Sequence, residues 1–196
     1  MVSQLRQRLP WRVQLLLHRL WSKDVVLVYR MASDAKVPSA DTSATTGLDF
    51  SISTVRDAKA RGEAMPAHLR RNLPDFPDDA LVHFVLADGR IACWGISLGP
   101  LPSWPITETE TTLTMPPSSV CMVAFETEPE FRGRGIYKTL LREILRSRFA
   151  SGAAWAYIWC DETNAPSRAA IERVGFTLVA RHEQRHILGI ASRQVH

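Results

Sequence analysis

The run from Ser119 to Phe149 limits the fold more than any other stretch of the sequence. An apolar strand pattern, Ser119–Phe125, gives way to a turn holding Gly133 and Gly135, then to a helix from about Ile136 to Phe149. In that helix Ile136, Leu140, Leu141, Ile144 and Leu145 fall on one face, and Ser151-Gly152 stops it. Ala154–Cys160 is then a further strand, Ala165–Arg173 a short helix, and Phe176–Ala180 and Arg185–Ile190 two closing strands. Strands that feed one-sided helices bury their apolar surface as a sheet with helices laid on it.

The chain upstream fits the same architecture. Gln4–Trp21 reads as an amphipathic helix, regular from Pro10 onward, with Arg6, Arg8, Arg12 and Arg19 set against Leu5, Leu9, Trp11, Leu15, Leu16 and Leu20. Asp24–Met31 is a β-branched strand, and the Ser, Thr, Ala, Asp and Pro of Ala32–Gly47 read as a mobile loop. Leu48–Thr54 alternates as a half-buried strand, and Thr54 caps a helix through Asp57, Ala58 and Ala60. A second short helix, Ala67–Asn72, ends before Pro74 and Pro77. Ala80–Leu86 and Ile91–Ser97 form a hairpin across Asp88-Gly89, and the Pro-rich Gly99–Ser118 reads as a loop. The expected fold class is α/β (α+β), a mixed sheet flanked by helices. Residues 1–47 form a helix, strand and loop packed on a domain of residues 48–196.

Composition narrows the function classes. With 196 residues, 45% hydrophobic and 22% charged, the chain is long and apolar enough for one buried core and is not wholly disordered. A net charge of +4 suits anionic ligands in general. The arginines are scattered without helix-turn-helix or zinc spacing, so no nucleic-acid partner is expected. Cys93, Cys121 and Cys160 lie in apolar runs without metal spacing and read as buried free thiols in a reducing compartment. His182 and His186 are four apart but in apparent strands, so no metal is expected. Val13–Leu17, interrupted by Gln14, is too short for a signal peptide, and no apolar run reaches the roughly 18 residues of a membrane span. A soluble, cytoplasmic protein is expected. The basic N-terminal helix could also lie on an anionic membrane, though packing on its own domain is favoured.

The chemistry concentrates in Phe131-Arg132-Gly133-Arg134-Gly135-Ile136-Tyr137. A helix start presents unpaired N–H groups and the positive end of its dipole, and glycines let an anion approach the backbone closely. With Arg132 and Arg134 beside it, the turn is built for a pyrophosphate; the plainer alternative is a glycine turn with two solvated arginines. Downstream, Asn164 follows a strand and precedes Ser167, Ile171, Glu172, Arg173, Val174, Gly175 and Phe176.

Here the sequence resembles the GNAT acyltransferase superfamily. Its R-x-x-G-x-G/A turn is matched by Arg132, Gly133, Arg134 and Gly135, and its strand–Asn–short helix–Gly-Phe stretch by Asn164 to Phe176. Element order agrees from Leu48 to Leu188, while the specific motifs lie in Val120–Phe176. The resemblance implies a mostly antiparallel sheet of six to seven strands, here with an extra N-terminal helix and strand. It implies transfer of an acetyl or other short acyl group from acetyl-CoA to a primary amine, small-molecule or peptide. Backbone N–H groups near Phe125 to Thr127 polarise the thioester, and the cofactor rests on Arg132, Gly133, Arg134, Gly135, Ile136, Tyr137, Asn164 and Ser167. Asn164 is read as a hydrogen-bond partner of the pantetheine arm, with capping of its helix as the alternative, and Ser167 could equally sit on the helix surface. Glu126 is the nearest candidate base, with Asp161 and Glu162 behind it. Two positions depart from the family: Tyr137 stands where a Gly or Ala is usual, and Ile171 where a Tyr general acid is frequent. A non-catalytic acyl-CoA-binding module is therefore the rival reading, and both a monomer and a homodimer remain open.

Overall fold

The computed structural model describes residues 21–35, 37, 47–62, 65–188 and 190–196. The expected N-terminal helix, except for Trp21, and most of the expected loop 32–47 lie outside the described residues; Trp21 opens a strand, opposite Ile187, instead of ending the helix.

Strand β1 (Trp21–Ala32) is followed by β2 (Leu48–Thr54), α1 (Val55–Ala60), α2 (Ala67–Asn72), β3 (Leu81–Ala87) and β4 (Arg90–Leu98). Then come β5 (Ser103–Ile106), β6 (Thr111–Thr114), β7 (Ser119–Thr127), α3 (Ile136–Ala150), β8 (Trp155–Asp161), α4 (Ala165–Val174), β9 (Thr177–Ile187) and β10 (Ile190–Val195). The main sheet has eight strands in the order β10-β9-β1-β8-β7-β4-β3-β2. All its neighbours are antiparallel except β7 and β8, which α3 joins as a parallel pair. The mixed, mostly antiparallel sheet is as expected. It reaches eight strands because β1 lies inside it, between β8 and β9.

Successive residues of a strand point to opposite faces, and the sheet is covered on both. Leu27, Tyr29, Val120, Met122, Ala156 and Ile158 pack under α3 and α4. Val26, Val28, Phe84, Ile96, Cys121 and Val123 pack with Leu69 and Leu73 on the other face. The five stripe residues of α3 are all within 3% of complete burial. Thr54 caps α1, its hydroxyl accepting from the Asp57 N–H at 3.1 Å.

Two expectations are corrected. The stretch Gly99–Ser118 contains a hairpin, β5 against β6, in which Pro105 pairs with Thr112. A proline inside a run argues against a strand, but this two-stranded sheet is all edge and tolerates it. The two closing strands are also not divided at Ala180–Arg185. β9 continues through that polar run, because β1 beside it pairs Val26 with His182 and Val25 with Glu183. The buried Glu183 carboxylate is met by Arg181, Arg185 and Lys23.

Candidate active site

The two halves of β7 have different neighbours. Its parallel ladder with β8 runs from Ser119 opposite Trp155 to Met122 opposite Ile158, and from Val123 onward β7 is paired with β4 alone. The strands splay because β7 bulges. Ala124 takes a φ of +53°, and the register against β4 slips so that Ala124 and Phe125 together face Gly95. A Cβ on Gly95 would stand 2.2 Å from the Phe125 ring, so only glycine fits opposite the bulge.

Beyond β7 a 3-10 turn, Pro129–Phe131, leads to the glycine turn, where Gly133 and Gly135 both have φ of +77°. Gly135 is the N-cap of α3 and supplies no side-chain cap, so the first N–H groups of the helix open outward. A Cβ on Gly133 would meet nothing within 4 Å. Glycine is required there by its φ, and the space over the turn is left free. Arg132 donates from Nε to the Thr127 carbonyl at 2.9 Å, fixing the turn to the end of β7.

A cleft of about 920 Å³ lies between these parts. Phe125, Glu126 and Thr127 form its β7 wall, and Arg132, Gly133, Gly135, Ile136 and Tyr137 its floor at the head of α3. Asn164 and Ser167 form the α4 wall. Arg134 is not part of the lining; its guanidinium lies 5.4 Å over the Phe131 ring. Lys138 also lines the cleft, as does Arg173, which the sequence placed in the Asn164–Phe176 stretch without a role. For Lys138 the signal was present, since a residue three after the glycine N-cap stands in the first turn of the helix.

The side chains on the α4 wall are engaged. Asn164 Oδ1 accepts from the Ser167 N–H at 3.2 Å, capping α4. The Tyr137 hydroxyl lies 3.3 Å from Ser167 Oγ, and its ring packs 5.3 Å from that of Phe125. This phenol therefore reaches from α3 to α4 across the cleft, and burial raises its pKa despite the Ser167 hydrogen bond. Ile171 is fully buried in the core under α4 and does not enter the cleft.

At the other side of Glu126 stands a residue that the sequence did not flag. His68, on α2, holds Nε2 3.5 Å from Glu126 Oε2 and 3.2 Å from Glu128 Oε1. The Trp94 indole N–H donates to the same nitrogen at 3.0 Å, and the two rings stack at 5.6 Å. A lone histidine on a six-residue helix shows no pattern, and Glu128 lies just past the strand. The weaker acidic candidates are occupied elsewhere: Asp161 accepts from the Thr163 N–H at 2.7 Å, and Glu162 pairs with Arg181 at 3.1 Å. All three cysteines are free and buried, and burial pushes the Cys93 and Cys121 thiols up to about 12.

A family model described as "Acetyltransferase (GNAT) family" matches residues 57–176, more than half of the chain. The chain belongs to the GNAT acetyltransferase family. The matched span runs from α1 through the glycine turn to the Gly-Phe pair after α4, so the cleft lies within the GNAT domain. No curated protein sequence matches the chain. Among solved structures, the GNAT fold is shared with a GCN5-related N-acetyltransferase from Sphaerobacter thermophilus (18% identity, TM-score 0.52, covering 91% of this chain and 57% of that one). A GNAT-family acetyltransferase from Colwellia psychrerythraea is similar at 15% identity and TM-score 0.54, over 90% of this chain and 61% of that one. So is a glucosamine N-acetyltransferase region of a fungal multi-domain GH3 beta-N-acetylglucosaminidase, at 17% identity and TM-score 0.56, over 90% and 23%. The chain spans less than two thirds of each of these proteins. Among the described residues, no helix is long and apolar enough to cross a membrane.

Proposed function

We propose that this GNAT protein is an N-acyltransferase that moves an acetyl, or another short acyl, group from acyl-coenzyme A to a primary amine. The observation that carries the reading is one junction: the uncapped head of α3 at its glycine turn opens on the same cleft as the splayed end of β7. The first suits a diphosphate, since N–H groups, helix dipole and the cationic Arg132, Lys138 and Arg173 all favour negative charge. The second suits a thioester, because backbone beyond Met122 that makes no ladder with β8 is free to donate to a carbonyl oxygen gaining charge. Asn164 and Ser167 flank the path between the two. When bound, the cofactor supplies the activated acyl group; the chain positions it, and Glu126 at the acceptor end helps take up the amine's proton. Three free, buried thiols accord with a reducing cytoplasmic setting.

Calorimetry with acetyl-CoA tests the reading together with thiol release over a panel of small amines and amine-bearing peptides. Saturable binding that weakens as salt is added, and amine-dependent release, are the expected results. Absence of binding at about millimolar cofactor, far weaker than the roughly 8 kcal/mol of a micromolar ligand, would remove the reading.

One observation favours the second reading, a non-catalytic acyl-CoA-binding module. Tyr137 reaches across to Ser167 while Ile171, at the position of the family's frequent acid, is buried in the core. Binding without thiol release for any amine would assign the chain to that class.

A further inference from the structure

We infer that His68 is a catalytic residue of this chain, its Nε2 receiving the proton that the acceptor amine gives up. The inference rests on the acyl-transfer reading and goes beyond it by naming the atom.

The partners of that nitrogen make conflicting demands. An indole N–H can only donate, so the 3.0 Å bond from Trp94 uses the Nε2 lone pair and places the neutral ring's proton on Nδ1. Glu126 Oε2 and Glu128 Oε1, at 3.5 and 3.2 Å, are acceptors facing the same atom, and they pair with it only when Nε2 carries a proton. Without the proton Trp94 is satisfied and two carboxylates face a lone pair. With it the ring forms an ion pair with the carboxylates and Trp94 loses its acceptor. Each state leaves something unmet that the other supplies, which is the property of a site that takes up a proton and releases it.

Location gives this chemistry a substrate. Glu126 lines the cofactor cleft, whereas Glu128 lines a second cleft of about 570 Å³ walled by Met65, Phe84, Leu86 and Ile91. His68 lines neither cleft itself but bridges the two carboxylates that line them, which puts it at the junction where an amine entering from the second cleft would meet a thioester lying in the first. The acceptor arrives as an ammonium, attracted by both carboxylates. Nε2 takes one of its protons, and the freed nitrogen lone pair forms the N–C bond as the C–S bond breaks. The second N–H proton passes through solvent to the departing thiolate. The products are the amide, the free thiol and one proton, which the His68 cluster returns to solvent.

The test compares His68→Gln and His68→Ala with the natural chain in thiol release over the amine panel. Cofactor affinity is read by calorimetry and folding by thermal melts. A glutamine still offers Trp94 an acceptor but cannot hold the proton. Both variants should therefore lose about 10²-fold in kcat while binding acetyl-CoA as before. Imidazole should partly restore the alanine variant. Its rate should also keep climbing with pH as the free-amine fraction grows, where that of the natural chain levels off. A glutamine variant near natural kcat, or a pH profile parallel to the natural one, would make His68 a structural partner of Trp94 and overturn the inference. A natural chain that binds acetyl-CoA and releases thiol to no amine would overturn acyl transfer itself, and His68's role with it.

Discussion

At Tyr137 a family pattern that ends in a small residue meets a phenol whose hydroxyl lies 3.3 Å from Ser167 Oγ and whose ring packs on Phe125. On the proposed acyl-coenzyme A reading, the side chain would occupy the span that the cofactor arm needs to reach the splayed end of β7. Binding must then displace it, and displacement costs the hydrogen bond and the aromatic contact, about 1 kcal/mol each. Tyr137→Ala should tighten acetyl-CoA binding by up to about 30-fold in calorimetry while leaving the affinity for the nucleotide fragment, 3′-phospho-ADP, nearly unchanged. Equal acetyl-CoA affinity in the variant would show that the phenol does not obstruct the arm. Gly95 is constrained by the Phe125 ring as well, since a Cβ would sit 2.2 Å from it. Gly95→Ala should therefore cost about 1–3 kcal/mol in urea denaturation. A variant as stable as the natural chain would mean that Phe125 swings aside freely.

Within the hairpin of β3 and β4 a buried histidine makes the fold sensitive to acid. His83 is 3% exposed, its Nε2 lies 2.7 Å from Ser97 Oγ, and burial lowers its pKa from 6.5 to about 4, with Arg148 adding to the shift. A histidine with a lowered folded pKa binds its proton more readily in the unfolded chain. Its penalty is absent above about pH 6.5 and grows as pH falls towards 4. Between about pH 7.5 and about pH 5 the natural chain should lose about 2 kcal/mol more stability than His83→Gln. Parallel pH dependences in chemical denaturation would show that His83 charges without cost. The element reading itself was mostly legible: the α3 stripe, the Thr54 cap and the Asp88-Gly89 hairpin all follow from spacing within a dozen residues. The β5–β6 hairpin was not, because Pro105 removes a ladder donor, and only the pairing with Thr112 shows the strand.

For the molecule as a whole, the position of β1 has the largest consequence. It pairs with β8 on one side and β9 on the other, and Val28 and Tyr29 at its centre are fully buried. Without it, β9 and β10 would lose their attachment to the sheet, and the core residues under α4 would face water. A chain beginning at Leu48, which retains the whole family-matched span, should therefore fail to melt cooperatively in circular dichroism. A sharp transition near that of the full chain would show that β9 can close onto β8 directly.

Sequence alone determined the turn at Gly133 and Gly135, the helix that follows and the family, because each rests on local spacing or on a motif written in consecutive residues. It also placed Glu126, Asn164 and Ser167 near one site through the resemblance. Tertiary structure alone decided that β1 enters the sheet between β8 and β9 and that a polar run in β9 stays a strand. It alone decided that Tyr137 points into the cleft, and that His68 and Glu128 meet Glu126. These outcomes depend on strand pairing and on side chains far apart in the chain. Local periodicity reports which face of an element is apolar, and carries no information about which other element will cover it.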